Sequence, residues 1–215
     1  MKKHSRRNFL IAFSFLVAFI LWTLAVCRID VRAIGPQGSS VGFGGLNRFV
    51  HDLTGVHMWL YAITDWLGLV PILFALGFAV LGLVQWIKRK SILKVDRSIL
   101  ILGGFYLAVV AAYVFFEGHV INYRPVLIGG FLEASYPSST TMLVMCVMPT
   151  AVMQLRERVK RRGFRHIVSF VLIGFTVFMV IGRLLSGVHW FTDIIGGALL
   201  SAGLVMLYHA VSSLK

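Results

Sequence analysis

Stretches of about 20 apolar residues, each enough to cross a hydrocarbon core as a helix, recur along this chain between short clusters of Lys and Arg. That repetition constrains the fold more than any other feature, because a chain so patterned satisfies its backbone and buries its side chains only as helices in a bilayer. Composition agrees: of 215 residues 58% are hydrophobic and only 8 are Asp or Glu. Six spans are expected, over residues 8–27, 57–87, 98–116, 138–155, 166–185 and 192–212, the second long enough to be tilted or to begin as a surface helix. The expected fold class is all-α, a polytopic membrane helical bundle forming a single integral membrane domain over 1–215. The basic start Lys2-Lys3-His4-Ser5-Arg6-Arg7 has the layout of a secretory signal, but the apolar run behind it is too long and no small-x-small site follows, so it is read as a retained span. Cys27 and Cys146 fall at or inside different spans and read as packing residues.

A net charge of +13 would point to nucleic acid in a soluble protein, but its distribution points to topology. Lys2, Lys3, Arg6 and Arg7, then Lys88, Arg89, Lys90, Lys94 and Arg97, then Arg156, Arg158, Lys160, Arg161, Arg162 and Arg165, and finally Lys215, all fall on one side of six spans. By the positive-inside rule that side is the cytoplasm, which puts both termini inside; attraction to anionic lipid is secondary. Arg28, Arg32, Arg48, Arg124 and Arg183 fall on the other side with most of the acids. The Gly-rich loop over residues 28–56 is expected to be irregular, with Trp59 and Tyr61 at the interface and His51 and His57 on the surface around the second span.

Ionisable groups at span ends are costly unless they serve a site, and two outer segments hold them: Glu117 to Thr141 and Gly182 to Asp193. His189 and Asp193 are four apart, so on a helix they share a face, where a carboxylate orients an imidazole as nucleophile or base. The same spacing also serves a plain interfacial hydrogen bond. Arg183, six residues earlier, offers a planar fork for phosphate oxygens. Arg124-Pro125 adds a second guanidinium, and Pro137-Ser138-Ser139-Thr140-Thr141 reads as a capped helix start, whose free N–H groups attract anions.

Arg-Pro, then Pro-Ser at a helix start, then Arg-x5-His-x3-Asp together resemble the type 2 phosphatidic acid phosphatase superfamily, membrane lipid phosphate phosphatases related to vanadium haloperoxidases. The motifs span residues 117–193. The resemblance implies that His189 takes the phosphoryl group as a phosphohistidine, that Asp193 orients it, and that Arg124, Arg183, Ser138 and the N–H groups of Ser139 and Thr140 hold the phosphate. It implies no metal and no cofactor. The partners it implies are a phosphorylated membrane lipid and the bilayer, with no nucleic acid, in the plasma membrane of a bacterium with the site on the extracytoplasmic face.

Four positions, spread over the three motifs, depart from the family pattern. Glu117 stands where the first motif has Lys, Ser139-Thr140 where the second has Gly-His, and Gly182 where the third opens with Ser. The histidine that protonates the leaving group is thereby replaced by Thr140, and Glu117, His119 and Glu133 are the candidate substitute acids. A phosphate leaving group needs less help than an alkoxide, so the expected substrate is a lipid diphosphate such as a polyprenyl diphosphate. The alternatives are a lipid head-group phosphotransferase and a catalytically altered phospholipid-binding protein.

Overall fold

The computed structural model describes residues 3–214; Lys2 and Lys215, counted above in the basic flanks, lie outside the described residues. Eight helices follow one another: α1 (Lys3–Arg28), α2 (Gly44–Thr54), α3 (Met58–Leu67), α4 (Leu69–Arg89), α5 (Arg97–Gly118), α6 (Ser139–Arg158), α7 (Arg162–Leu185) and α8 (Phe191–Ser212). The protein is a polytopic helical membrane protein. Among the described residues, five stretches are long and apolar enough to cross a bilayer: Ser5–Arg28, Met58–Arg89, Arg97–Gly118, Arg162–Leu185 and Phe191–Ser212. The expected second span is thus α3 and α4 together, with Gly68 at their junction.

The expected span over 138–155 forms as α6, 20 residues long, but does not reach the apolar composition of the other five. Its position explains this. α6 buries Val144, Cys146, Val147, Met148, Ala151 and Val152 inside the bundle, so its polar groups meet protein instead of lipid. Thr150 returns its hydroxyl to Cys146 O (2.8 Å), and buried Gln154 donates to the Tyr208 hydroxyl on α8. Both cysteines are free.

α1 and α8 run antiparallel along much of their length. At one end Asn8 Nδ2 donates to His209 Nδ1 (3.0 Å); at the other Trp22 Nε1 donates to Thr192 O (3.1 Å). The first end also collects basic residues: Arg89 pairs with Asp96 (2.9 Å), and Arg158 donates to Ser98 Oγ (3.0 Å). The bundle therefore has a basic end, holding the start of α1 and the end of α8, and an opposite end holding the candidate residues.

The loop over 28–56 is irregular only in its first part; residues 44–54 form α2. Leu46, Phe49, Val50 and Leu53 recur there at helical spacing, and buried Asn47 secures the helix by donating to Gly42 O (2.8 Å) and Thr192 Oγ1 (2.9 Å). Trp59 is exposed as expected, whereas Tyr61 is engaged by Arg183 at the site.

Tyr136 ties α1 to α8. Its hydroxyl meets Thr23 Oγ1 at 2.7 Å, its ring stacks on Phe19, and it presses on Gly196, where an added Cβ would lie 2.6 Å from the ring. Gly174 on α7 has open space around it. Gly196→Ala is expected to lower the unfolding temperature in detergent, by an overpacking penalty of about 1–3 kcal/mol. Gly174→Ala is expected to leave it unchanged or raise it slightly, and parallel thermal melts compare the two.

Candidate functional site

The site lies where α7 ends and α8 begins. Gly187 turns the chain at φ +70°, and a Cβ there would lie 2.1 Å from Gly55 O, so only glycine fits the link. His51, expected on the surface, instead donates from Nε2 to Gly187 O (3.2 Å) and packs its ring against Trp190. His57, exposed as expected, bonds Thr54 O.

α8 starts only at Phe191, so His189 and Asp193 do not share a helical face as their spacing predicts. Nδ1 of His189 is 3.9 Å from Asp193 Oδ2, beyond hydrogen-bond reach, and Ser135 Oγ stands between them. Ser135 lies 3.0 Å from His189 Nδ1 and donates to Asp193 Oδ2 at 2.5 Å. Asp193, fully buried, also accepts from Asn122 Nδ2 (3.1 Å) and the Trp190 N–H (2.9 Å), the latter closing the first turn of α8. Ser135 and Asn122 were not singled out by the sequence: no motif spacing marks an isolated Ser and Asn in a loop.

The other imidazole nitrogen faces two guanidiniums. Arg124 Nη1 and Arg183 Nη2 each lie 3.4 Å from His189 Nε2. This cluster brings together His189, Asp193, Arg124 and Arg183 from the expected set. Each arginine also has an acidic neighbour. Arg124 Nε is 3.0 Å from Glu133 Oε2 in an ionic contact off the line of a hydrogen bond, and Arg183 Nη1 is 3.7 Å from Asp65 Oδ1. Thr64 Oγ1 (3.4 Å) and the Tyr61 ring (5.0 Å) complete the cradle of the buried Arg183.

Ser138 caps α6, its Oγ accepting the Thr141 N–H at 3.5 Å, while its own N–H donates to Asp193 O (3.0 Å). Ser139 and Thr140 open α6, and their N–H groups have no partner within the helix. A polar chamber of about 290 Å³ is lined by Arg124, Glu117, Glu133, Ser135 and Ser139 among others. Thr140 lines a neighbouring cavity of about 400 Å³, which shares Tyr113, Ser139 and Met142 with the chamber. That cavity continues through Ile72, Val110 and Leu143 into an apolar groove of about 660 Å³ between α4 and α5. His119 is not part of the chamber lining: it ends α5, with Nδ1 on Phe115 O and its ring stacked on Phe115. Among the described residues no group of three or more His, Cys, Asp and Glu is arranged to hold a metal.

Burial first, and then the positive charges of Arg124 and Arg183, hold the His189 pKa well below its ordinary value. The imidazole is therefore neutral at pH 7, with the Nε2 lone pair toward the arginines. In a histidine NMR titration, His189 is expected to take up its proton at lower pH than an ordinary histidine of pKa about 6.5 does. Arg124→Gln removes a repelling cation and is expected to raise the value.

Residues 114–215, a little under half of the chain, match the model of the PAP2 superfamily. Among solved structures, the chain is similar to the crystal structure of the first transmembrane PAP2 type phosphatidylglycerolphosphate phosphatase from Bacillus subtilis. The TM-score is 0.61 over 94% of this chain and 96% of that one, at 18% sequence identity, a likeness of fold. No curated protein matches the chain.

Proposed function

We propose that this protein is a membrane lipid phosphatase that forms and hydrolyses a phosphohistidine at His189, with a lipid diphosphate as its preferred substrate. The observation carrying this reading is the convergence of two guanidiniums on a neutral imidazole nitrogen, one of them, Arg124, also lining the polar chamber next to the apolar cavities. Phosphate oxygens settle between Arg124 and Arg183 and against the free N–H groups of Ser139 and Thr140, where developing charge is met by donors already in position. Ser138 acts through its cap, which orients those N–H groups. The apolar groove between α4 and α5 receives the lipid tail from the bilayer.

His189 Nε2 attacks phosphorus and the leaving oxygen departs with the bonding pair; water then attacks the phosphohistidine and returns the pair to the ring. General acid assistance is worth about 100-fold to 10,000-fold, and Thr140 is a weak donor. Glu133 is engaged with Arg124, and His119 is turned to Phe115, so among the candidate acids Glu117 alone lines the chamber without an ion pair. A phosphate leaving group departs with little protonation and an alkoxide does not, which favours a diphosphate such as a polyprenyl diphosphate over a phosphate monoester.

Purified protein in detergent is expected to release phosphate from a polyprenyl diphosphate at least tenfold faster than from phosphatidic acid, and His189→Ala to abolish both. Comparable turnover of the two lipids overturns the substrate preference; activity retained in His189→Ala overturns the mechanism.

The basic end faces the cytoplasm by the positive-inside rule, which puts the chamber on the extracytoplasmic face and makes one domain of the whole bundle. In intact cells a cysteine replacing exposed Arg48 is expected to react with a membrane-impermeant maleimide, in a background lacking Cys27, and one replacing Lys160 only after permeabilisation. The reverse pattern inverts the topology.

A further inference from the structure

We infer that Ser135 is the positioning residue of the site, a hydroxyl relay through which Asp193 holds and withdraws the Nδ1 proton of His189. The inference rests on the phosphohistidine reading for its chemistry and on geometry for its existence. Asp193 Oδ2 is too far from His189 Nδ1 for a hydrogen bond at 3.9 Å, while Ser135 Oγ meets both, at 3.0 and 2.5 Å. All three side chains are buried, which excludes bulk water as the usual intermediary.

The direction of the relay follows from donor counting. Nε2 faces two guanidiniums, which only donate, so Nε2 holds the lone pair and Nδ1 carries the hydrogen. Nδ1–H donates to Ser135 Oγ, and the Ser135 O–H donates to Asp193 Oδ2, which already accepts the Trp190 N–H. The serine is itself held, since its N–H donates to Asn122 O (2.9 Å) and Asn122 Nδ2 donates to Asp193 Oδ1. Asp193 thus receives Ser135 directly and also grips the segment that positions it.

In the reaction, the Nε2 lone pair forms the P–N bond while the P–O pair leaves with the departing group, and the ring becomes positively charged. A paired shift, Nδ1–H to Ser135 Oγ and Ser135 O–H to Asp193, neutralises the ring without separating charge in a buried site. When water attacks phosphorus, the P–N pair returns to the imidazole, both relay protons move back, and the proton released by water leaves to solvent. The aspartate therefore acts through an exchangeable hydroxyl, and the number of protons in motion is two.

The test combines a readout independent of turnover with one that depends on it. In ¹⁵N-histidine NMR of the full-length protein in detergent, His189 is expected to keep its Nδ1–H in wild type as a downfield, slowly exchanging proton, to shift upfield and exchange faster in Ser135→Ala, and to recover in Ser135→Thr. An Nδ1 proton as far downfield and as slow to exchange in Ser135→Ala as in wild type overturns the relay whether or not the protein is active. With a polyprenyl diphosphate as substrate, Ser135→Ala is expected to lower kcat about 100-fold with little change in KM. Ser135→Ala/Asp193→Asn is expected to cost no more than Asp193→Asn alone, because one path has been cut twice; losses that multiply overturn the relay. If wild type releases no phosphate, the phosphatase reading fails, while the Nδ1 proton comparison still decides the relay. Ser135→Thr, which keeps the hydroxyl, separates loss of the relay from loss of fold.

Discussion

Asp193 is the group on which the outer end of this bundle depends. A carboxylate buried in an apolar bundle costs several kcal/mol unless its oxygens are satisfied, and here the donors come from three places in the chain: Asn122, Ser135 and the Trp190 N–H. Its main-chain oxygen takes a fourth donor, the Ser138 N–H. Satisfying this residue therefore fixes the 122–138 loop, the start of α6 and the start of α8 against one another. His189 lies inside that junction, so its orientation is inherited from the same network.

The arginines pose a second problem, since two guanidiniums converging on one nitrogen repel each other. Glu133 and Asp65 offset that repulsion, and Thr64 and Tyr61 hold Arg183 from the α3 side. Compensation of this kind lets cationic groups stay close in a protein with few acids. α3 is part of the site for this reason, and its continuation α4 forms one wall of the apolar groove. One interrupted helix thus supplies both the residues that hold Arg183 and one wall of the apolar groove.

The fold was legible in the sequence to the extent that lipid acts on each span separately. Where a helix faces the bilayer, its residues must be apolar whatever its neighbours are, so α1, α4, α5, α7 and α8 are visible as continuous runs. α6 is less distinct because it faces protein: Thr150 and Gln154 are tolerated there only because α5, α8 and its own backbone supply partners. The amphipathic α2 was concealed by the glycines ahead of it, although Asn47 and its two bonds make it a fixed part of the structure.

In the site, Arg124, Arg183, His189 and Asp193 were readable as ionisable residues at the same end of the spans, although the helical face expected for His189 and Asp193 did not form. Ser135 was not, and neither were Asn122, Asp65 and Tyr61, since each acts by contact with a residue distant in the chain. The sequence by itself determined the membrane class, the helical architecture and the residue types that gather at one end, because hydrophobicity and charge act segment by segment. Only the tertiary structure decided that a serine stands between the histidine and the aspartate and that every arginine of the pair has an acidic neighbour. A hydrogen bond requires its partners within about 3 Å, and across 50 or 100 residues of chain that distance is set by how the helices pack.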